Sequence, residues 1–222
     1  MRGGLALESK DPFGNVSTVE YDAYNLLPTI TTDALGMQVE AVYDYRLLQP
    51  CLITDPNGNR SAVRFSPLGF VVEAGVMGEH GDLDGDVTSD AGSFPVFTPS
   101  SVMEYDLLNW MVNGLPAYVK TTQHEWHIND LNYTTDTLVQ IAYSDGFGRV
   151  IQTRAQAEEV IFGDQDFGDS GLPAIQGTNG NAVGVENTST TAINVIVNGF
   201  KTTNNKGAVI EQWEPFYSTG WD

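Results

Sequence analysis

The sequence predicts an all-β protein built as an array of β-hairpins in one wide sheet. A turn motif recurs at a fixed interval, short runs of branched and aromatic residues flank each turn, and turn-forming residues are frequent, with 23 Gly and 10 Pro among 222 residues. Branched and aromatic residues favour strands, whereas glycine and proline favour turns. Together these features indicate short strands joined by tight turns, with no helical stripe.

The turn motif has the pattern Asp-x-x-Gly and occurs at residues 11–15, 33–37 and 55–59, which are spaced 22 residues apart. A fixed period of this size is typical of repeat arrays, in which each unit buries its apolar face against its neighbours. An aromatic residue follows ten positions after each leading aspartate. We therefore predict that each unit consists of strand, turn, strand and turn.

Eight residues are predicted to support this array structurally, and none of them is expected to be catalytic. The glycines would form the turn corners, because glycine accepts a positive φ without steric cost, and the aromatic residues would stack neighbouring units. These structural positions are Gly14, Gly36, Gly58, Gly148, Tyr21, Tyr43, Phe65 and Tyr143.

The chain is predicted to comprise three segments. Residues 1–78 hold three repeats with the 22-residue period, residues 79–101 form an acidic loop insertion, and residues 102–222 form a second, irregular part. That second part contains a Gly/Asn-rich loop near residues 162–191. The two long loops differ from the repeats because they are rich in Asp, Asn, Gly and Ser, which favour turns over strands.

Three hairpins are expected in the second part. Asn113-Gly114 predicts a tight hairpin turn before a strand at residues 117–121. Strands at 137–143 and 149–154 enclose the turn at Asp145 to Gly148. A final hairpin is expected to join residues 192–197 to 208–213, and Glu214 to Tyr217 is expected to break the strand.

The acidic segment raises the possibility of calcium binding. Asp82, Asp84 and Asp86 place oxygen ligands at alternate positions, as a calcium loop does. An EF-hand also needs glycine at the sixth and glutamate at the twelfth position, where this chain has Val87 and Ser93. We therefore interpret the segment as a solvated acidic insertion, with calcium binding left open.

No catalytic, cofactor-binding or metal-binding residues are predicted, and the chain is not expected to be an enzyme. His124-Glu125-Trp126-His127 has one residue too few for the zinc-protease motif, so we expect a structural or surface role. Asp164 and Asp166 could form a glycosidase pair, but nothing fixes their separation. No P-loop, nucleophile elbow or dinucleotide fingerprint occurs in the sequence.

The net charge of −19 and the pI near 4.2 argue against nucleic acid and anionic lipid as partners, because both are bound through Lys and Arg. No apolar run approaches the roughly 20 residues of a membrane helix, so no membrane insertion is expected. Residues 1–10 lack the apolar core of a secretory signal.

Cys51 is the single cysteine, so no intrachain disulfide can form. Its apolar neighbours predict a buried thiol.

The repeat resembles the YD repeat of the RHS family. Tyr21-Asp22 and Tyr43-Asp44 supply the Tyr-Asp pair, and residues 143–150 resemble the family's Tyr-x-Asp-x-x-Gly-Arg core. The order of further segments, from about Asp11 to Trp221, resembles the B component of bacterial insecticidal toxin complexes (Tc toxins) and relatives of the Salmonella virulence plasmid B protein. Those segments are residues 22–28, 52–60, 105–110, 144–149, 205–207 and 213–216.

This resemblance implies a curved, shell-like sheet and a fragment of a longer secreted protein with a role in virulence. In the family, YD-repeat strands and the C component form a cocoon around a toxic C-terminal effector, which a pore-forming A component takes up. The expected partners are therefore the remainder of the chain and the C and A components. The family's self-cleaving protease belongs to the C component, and no matching motif occurs here.

Two alternatives remain open. One is an extracellular YD-repeat adhesion or carbohydrate-binding module, with Trp110, Trp126 and Trp213 as stacking platforms. The other is a glycan-active enzyme, in which one particular carboxylate would be essential for hydrolysis.

Overall fold

The fold is all-β, in agreement with the sequence-based prediction. The computed structural model describes residues 4–92, 94–157, 160–161, 175–176, 182–183, 185–186 and 193–221. Within these residues there is a single short helix, α1 (Asn109–Asn113). No helix in the described part of the chain is long and apolar enough to cross a membrane.

The strands of the described residues are short, with two to eight residues each. In chain order they are β1 (Glu8–Lys10), β2 (Val16–Tyr21), β3 (Pro28–Thr32), β4 (Gln38–Asp44), β5 (Gln49–Thr54), β6 (Arg60–Phe65), β7 (Val71–Met77), β8 (Val87–Ser89), β9 (Val96–Phe97), β10 (Ser101–Asp106), β11 (Ala117–His124), β12 (Thr137–Ser144), β13 (Val150–Gln156), β14 (Val160–Ile161), β15 (Ile175–Gln176), β16 (Ala182–Val183), β17 (Val185–Glu186), β18 (Asn194–Asn198), β19 (Lys201–Thr203), β20 (Val209–Gln212) and β21 (Phe216–Thr219).

Thirteen of these strands form one sheet, and their order in the sheet mostly follows the chain. Strands β1 to β7 are neighbours in sequence order, followed by β10 to β13, then β18 and β21. The pairs from β1 to β7 are antiparallel. Such consecutive pairing is what a tandem array of hairpins produces, because each strand finds its partner through a single turn.

The chain turns every 11 residues within the repeats, so each 22-residue unit contains two turns. The residues that lead them are Asp11, Asp22, Asp33, Asp44, Asp55 and Ser66. In the first turn, the backbone N–H of Gly14 donates to the carbonyl of Asp11 at 3.0 Å. Oδ1 of Asp11 also accepts from the N–H groups of Phe13 and Asn15, at 2.9 and 2.8 Å. The aspartate thus satisfies backbone donors that the turn would otherwise leave to water.

Removing one of these aspartates is expected to loosen its hairpin without unfolding the sheet. Oδ1 of Asp33 accepts from the N–H groups of Leu35 and Met37, at 2.8 and 2.9 Å. We expect Asp33→Ala to lower the Tm by about 2–4 °C, the shift produced by about 1 kcal/mol in a chain of this size. Asp33→Asn is the control, because its amide oxygen can accept the same two hydrogen bonds. Equal Tm losses in both variants would contradict this account.

The acidic segment differs from the solvated loop expected from its composition. It contains strands β8 and β9, which pair with each other, and the side chains of Val87 and Phe97 are buried. These two residues join Leu52, Ala62 and Met77 in one apolar cluster. The segment folds back onto the sheet because its few apolar residues bury surface there, and this gain outweighs the turn-rich composition around them.

Asn113-Gly114 lies in the connection between the neighbouring strands β10 and β11, but the predicted tight turn was wrong, because these residues end α1. Gly114 adopts a left-handed conformation with φ of 72°, and its N–H donates to the carbonyl of Trp110. Glycine at this position is a common helix C-cap. An Asn-Gly pair suits both a hairpin and a helix end, so the pair alone could not distinguish them.

The predicted C-terminal hairpin was also wrong. Residues 194–198 of β18 pair with β13 and with β21, and the segment expected to break the strand instead contributes β21. The turn near Asn204 joins β19 to β20 in a small separate sheet. The Gly/Asn-rich loop lies mostly outside the described residues, as do Asp164 and Asp166. Within it, β15 pairs with β16, while β17 pairs with β14, which lies just before the loop.

The chain divides into two compact units. The first comprises Met1–Val102 and His124–Asp136, and the second comprises Met103–Gln123 and Thr137–Asp222. The acidic segment therefore belongs with the three repeats. Each unit buries apolar side chains of its own, and those of the second are Ile141, Tyr143, Ala157, Val195 and Val197.

Candidate functional site

The four aromatic positions picked out in the sequence lie where the strand ladder is irregular. The register shifts beside Tyr21, Tyr43, Phe65 and Tyr143, each near the end of its strand. A bulge of this kind bends its strand and increases the local twist. The repeated aromatic residue therefore coincides with a repeated distortion of the sheet. Sequence analysis recognised the position but not the bulge, because a bulge is a property of two paired strands.

The four predicted corner glycines all have positive φ. The values are 94° for Gly14, 83° for Gly36, 85° for Gly58 and 75° for Gly148. Residues with a Cβ rarely adopt this region, so glycine suits these corners. In each case the glycine N–H donates to the carbonyl of the residue that leads the turn. Each of these glycines is therefore the corner of its own turn.

Contacts between successive repeats involve residues just after the predicted aromatics. Oη of Tyr45 donates to Oδ2 of Asp22 at 2.7 Å, and the Tyr45 ring meets the Tyr24 ring edge-on at 5.8 Å. The hydrogen bond to Asp22 raises the pKa of Tyr45. One repeat further on, the guanidinium of Arg46 donates to the carbonyls of Pro67 and Ser66, at 2.9 and 3.0 Å. These side chains link the second turn of each unit to the next unit.

A buried arginine connects the sheet to the acidic segment. Arg60 of β6 is 5% exposed. Its Nη1 donates to Oδ1 of Asp90 at 2.6 Å, while its Nε and Nη2 donate to the carbonyls of Gly78 and Glu79, both at 2.9 Å. The hydrogen bond from Arg60 lowers the pKa of Asp90 from 3.8 to about 2. Asp90 is therefore ionised at neutral pH, and the pair holds residues 78–90 against the repeats.

A second link is formed by Asp86, whose side chain is 1% exposed. Its Oδ2 accepts from the N–H of Val76 at 2.8 Å, and its Oδ1 lies 2.9 Å from Nδ1 of His127. Nearby, Nδ2 of Asn129 donates to the carbonyl of Val87 at 2.6 Å. The carboxylate thus joins a strand of the repeats to the segment at 124–136. Sequence analysis missed this role, because Asp86 looked like one more solvated acidic residue.

An open groove of about 510 Å³ runs beside these links within the first unit. Ile53, Val76 and Met77 contribute apolar surface, whereas Ser61 and His127 contribute polar groups. Among the described residues, no three His, Cys, Asp or Glu side chains converge as metal ligands. Asp86, one of the three alternating aspartates, is already held by Val76 and His127. The described contacts therefore secure the acidic segment to the sheet.

Removing the imidazole next to the buried aspartate is expected to destabilise the first unit. His127→Leu leaves one oxygen of the Asp86 carboxylate without its partner, and a loss of about 1–3 kcal/mol in the free energy of unfolding is expected. His80→Gln is the control, because the His80 side chain is 74% exposed and Asp90 keeps Arg60. That change should cost less than about 1 kcal/mol. Urea unfolding measures the free energy of unfolding of both variants. Equal losses would show that His127 contributes no more to stability than the exposed His80.

The tandem units, with two turns and one bulge each, define a β-repeat protein whose strands add consecutively to one sheet. No protein-family model and no curated protein matches this chain. Solved structures do match. A crystal structure of TcdB2-TccC3 has 25% sequence identity and a TM-score of 0.68, covering 91% of this chain and 10% of that chain.

Two further structures agree. A crystal structure of TcdB2-TccC3-Cdc42 has 20% identity and a TM-score of 0.65, covering 91% of this chain and 12% of that one. The Photorhabdus luminescens Tc holotoxin pore has 19% identity and a TM-score of 0.64, with the same coverage of 91% and 12%. This chain therefore has a Tc toxin-related RHS fold. It spans about a tenth of the length of the chains it matches.

Proposed function

We propose that this chain is a structural segment of the RHS-type shell of a Tc toxin B component and helps to enclose a C-terminal toxic effector. The carrying observation is the single sheet of 13 strands, whose order mostly follows the chain. It is supported by the match to TcdB2-TccC3, which extends over 91% of the chain. In this role the repeats form the wall of the shell, and hydrogen bonds and ion pairs between side chains hold neighbouring parts of the wall together. The role is structural, and no catalytic step is assigned to the chain.

The outer strands of the sheet support a role as part of a larger wall. In the order of the described strands, β1 and β21 each have one neighbour. A strand with one free side offers unpaired N–H and C=O groups to another strand. In the proposed shell, neighbouring strands of a longer wall pair with them. The proposed partners are the remainder of a Tc-type chain and the C component, with the A component acting on the assembled, extracellular complex.

A chimera tests this function directly. Residues 11–221 would replace the structurally matching segment of TcdB2-TccC3, and limited proteolysis would measure whether the C-terminal region of TccC3 is protected. We expect protection similar to that in unmodified TcdB2-TccC3, because the inserted strands would continue the wall. A variant lacking the matching segment provides the unprotected control.

The opposite result is informative when the inserted segment is folded. A chimera that keeps the far-ultraviolet circular dichroism of its β-sheets but leaves the C-terminal region open to protease would contradict the enclosing role.

The carbohydrate-binding alternative has a separate test. Glycan-array retention of the chain that disappears in Trp110→Ala, Trp126→Ala or Trp213→Ala would favour that alternative.

A further inference from the structure

The segment between β10 and β11 carries its apolar side chains on the outside. We call residues 107–115, which include α1, the apolar protrusion. Six large apolar residues in it are exposed, from 44% for Leu107 to 78% for Val112. They are Leu107, Leu108, Trp110, Met111, Val112 and Leu115. Single exposed apolar residues are ordinary, but six within nine residues form a patch of the kind that marks interaction sites.

The inside of the protrusion is polar. Asn109 is its buried residue, at 6% exposure. Nδ2 of Asn109 donates to the carbonyl of Pro116 at 2.8 Å, and its Oδ1 accepts from Nδ2 of Asn113 at 2.8 Å. This arrangement reverses the usual amphipathic helix, which turns its apolar side inward. The protrusion does not gain stability by burying its own apolar residues.

The protrusion is nevertheless held in a defined shape. The N–H of Leu108 donates to Oδ1 of Asp106 at 3.1 Å, and the N–H of Gly114 donates to the carbonyl of Trp110 at 3.1 Å. Together with the bonds of Asn109, these contacts fix both ends of the short helix. A surface that is ordered before binding loses less conformational entropy when it binds. Tryptophan and methionine are also enriched at the centres of protein interfaces.

The charges around the protrusion favour a protein over a membrane. The sequence has no Lys or Arg from residue 65 to residue 119. The next basic residue, Lys120, is paired with Glu104 at 2.9 Å. Adsorption to anionic lipid depends on an apolar surface and on basic residues near it. The protrusion has the apolar surface but lacks the basic residues. Glu104 is neutralised by Lys120, whereas the carboxylate of Asp106 at the base of the protrusion fits an apolar groove with a basic rim.

We infer that the apolar protrusion docks into an apolar protein groove with a basic rim, on another segment of the Tc-type assembly. This inference rests on the proposed function, because the matched chains are about ten times longer than the matched part and supply the surfaces that a single segment lacks. The docked side chains are Trp110, Met111 and Val112, with Leu107, Leu108 and Leu115 around them. The protrusion thereby locks one part of the wall against another.

Photo-crosslinking in the chimera described above tests this inference. A benzophenone amino acid in place of Val112 would be irradiated, and mass spectrometry would map the crosslinks. We expect crosslinks to one region outside residues 11–221. The double change Trp110→Ser and Met111→Ser should lower the crosslink yield about tenfold, as the loss of about 1.4 kcal/mol of contact energy predicts.

A matched control uses exposed apolar residues of the same unit. Val209→Ser together with Ile210→Ser changes two residues of β20 that are 50% and 61% exposed, and the crosslink yield should stay unchanged. Both double variants should keep the Tm of the free 222-residue chain, which verifies that folding is intact. An absence of crosslinks, or an equal loss in both double variants, would overturn the inference.

The possible failures can be told apart. If the C-terminal region is protected from protease but Val112 gives no crosslink, the docking inference is wrong and the proposed function stands. If the C-terminal region is unprotected in a chimera that keeps its β-sheet circular dichroism, the proposed function is wrong whatever the crosslinks show. Flotation of the free chain with vesicles of phosphatidylcholine and phosphatidylglycerol, lost in Trp110→Ser with Met111→Ser, would also overturn the inference in favour of a membrane.

Discussion

Replacing Arg60 by leucine is expected to lower the free energy of unfolding by about 3–5 kcal/mol, because it removes one partner of a buried ion pair. The variant leaves the Asp90 carboxylate without its guanidinium, with the Asp90 side chain only 12% exposed. It also leaves the carbonyls of Gly78 and Glu79 without their donors. Urea unfolding at pH 7 measures the loss.

Arg46→Leu is the matched control for this change. Arg46 also donates to two backbone carbonyls and one carboxylate, but its side chain is 47% exposed. Water can replace these bonds when the guanidinium is removed, so the cost should be no more than about 1 kcal/mol. A loss in Arg60→Leu as small as that in Arg46→Leu would show that the Arg60 pair does not hold the acidic segment in place.

The Arg60–Asp90 pair also predicts how stability depends on pH. Arg60 holds the pKa of Asp90 at about 2, below its usual 3.8. A carboxyl group whose pKa is lowered by folding stabilises the folded state above its unfolded pKa. This contribution, about 2 kcal/mol, is therefore complete above about pH 5 and is lost as the pH falls from about 4 toward 2. Arg60→Leu should remove this part of the acid sensitivity.

Gly85→Ala is expected to cost about 3 kcal/mol or more, since it combines backbone strain with a collision inside a packed region. Gly85 has a φ of 70°, and a Cβ placed there would lie 2.2 Å from the backbone carbonyl oxygen of Val76. Backbone atoms cannot move aside as a flexible side chain can. The change should separate the segment around Asp86 from β7, and thermal unfolding with hydrogen exchange at Val76 would detect it.

Gly81→Ala separates strain from collision. Gly81 has a φ of 97°, but a Cβ there would meet no atom within 4 Å. It should therefore carry only the cost of the left-handed backbone, about 1 kcal/mol. Similar losses for the two alanine variants would mean that the close approach of Gly85 to Val76 does not contribute to stability.

Both changes act on the same structural feature, the attachment of the acidic segment to the repeats. Arg60 holds its outer part through Asp90, and Gly85 allows its inner part to approach β7. In the proposed shell, this attachment makes the acidic segment a fixed part of the wall. We expect Arg60→Leu in the chimera to increase protease cleavage within residues 79–101 before it exposes the C-terminal region.

The turns and the repeat could be predicted because their determinants are local. Asp11, Asp33 and Asp55 bond to backbone groups two and four residues away, and each corner glycine needs only its own φ. Turn chemistry of this range is visible in any one segment of the sequence. The period of 22 residues then implies consecutive strands, and the all-β fold follows from it.

The candidate site was not predictable in the same way, because its residues are brought together from distant segments. Asp86 lies beside His127, and Arg60 beside Asp90, only after the acidic segment packs on the sheet. The composition of this segment predicted a solvated loop, because it shows how many charged residues are present but not which side chains they pair with. The pairing of β18 with both β13 and β21 likewise joins distant segments of the chain.

Local hydrogen bonding and backbone preference, which the sequence displays directly, were thus sufficient for the turns, the repeat and the fold class. Long-range packing settled the burial of Asp86 and the pairing of Arg60 with Asp90. The physical reason is that desolvation and strand pairing depend on atoms far apart in the chain, whose proximity exists only in the folded state.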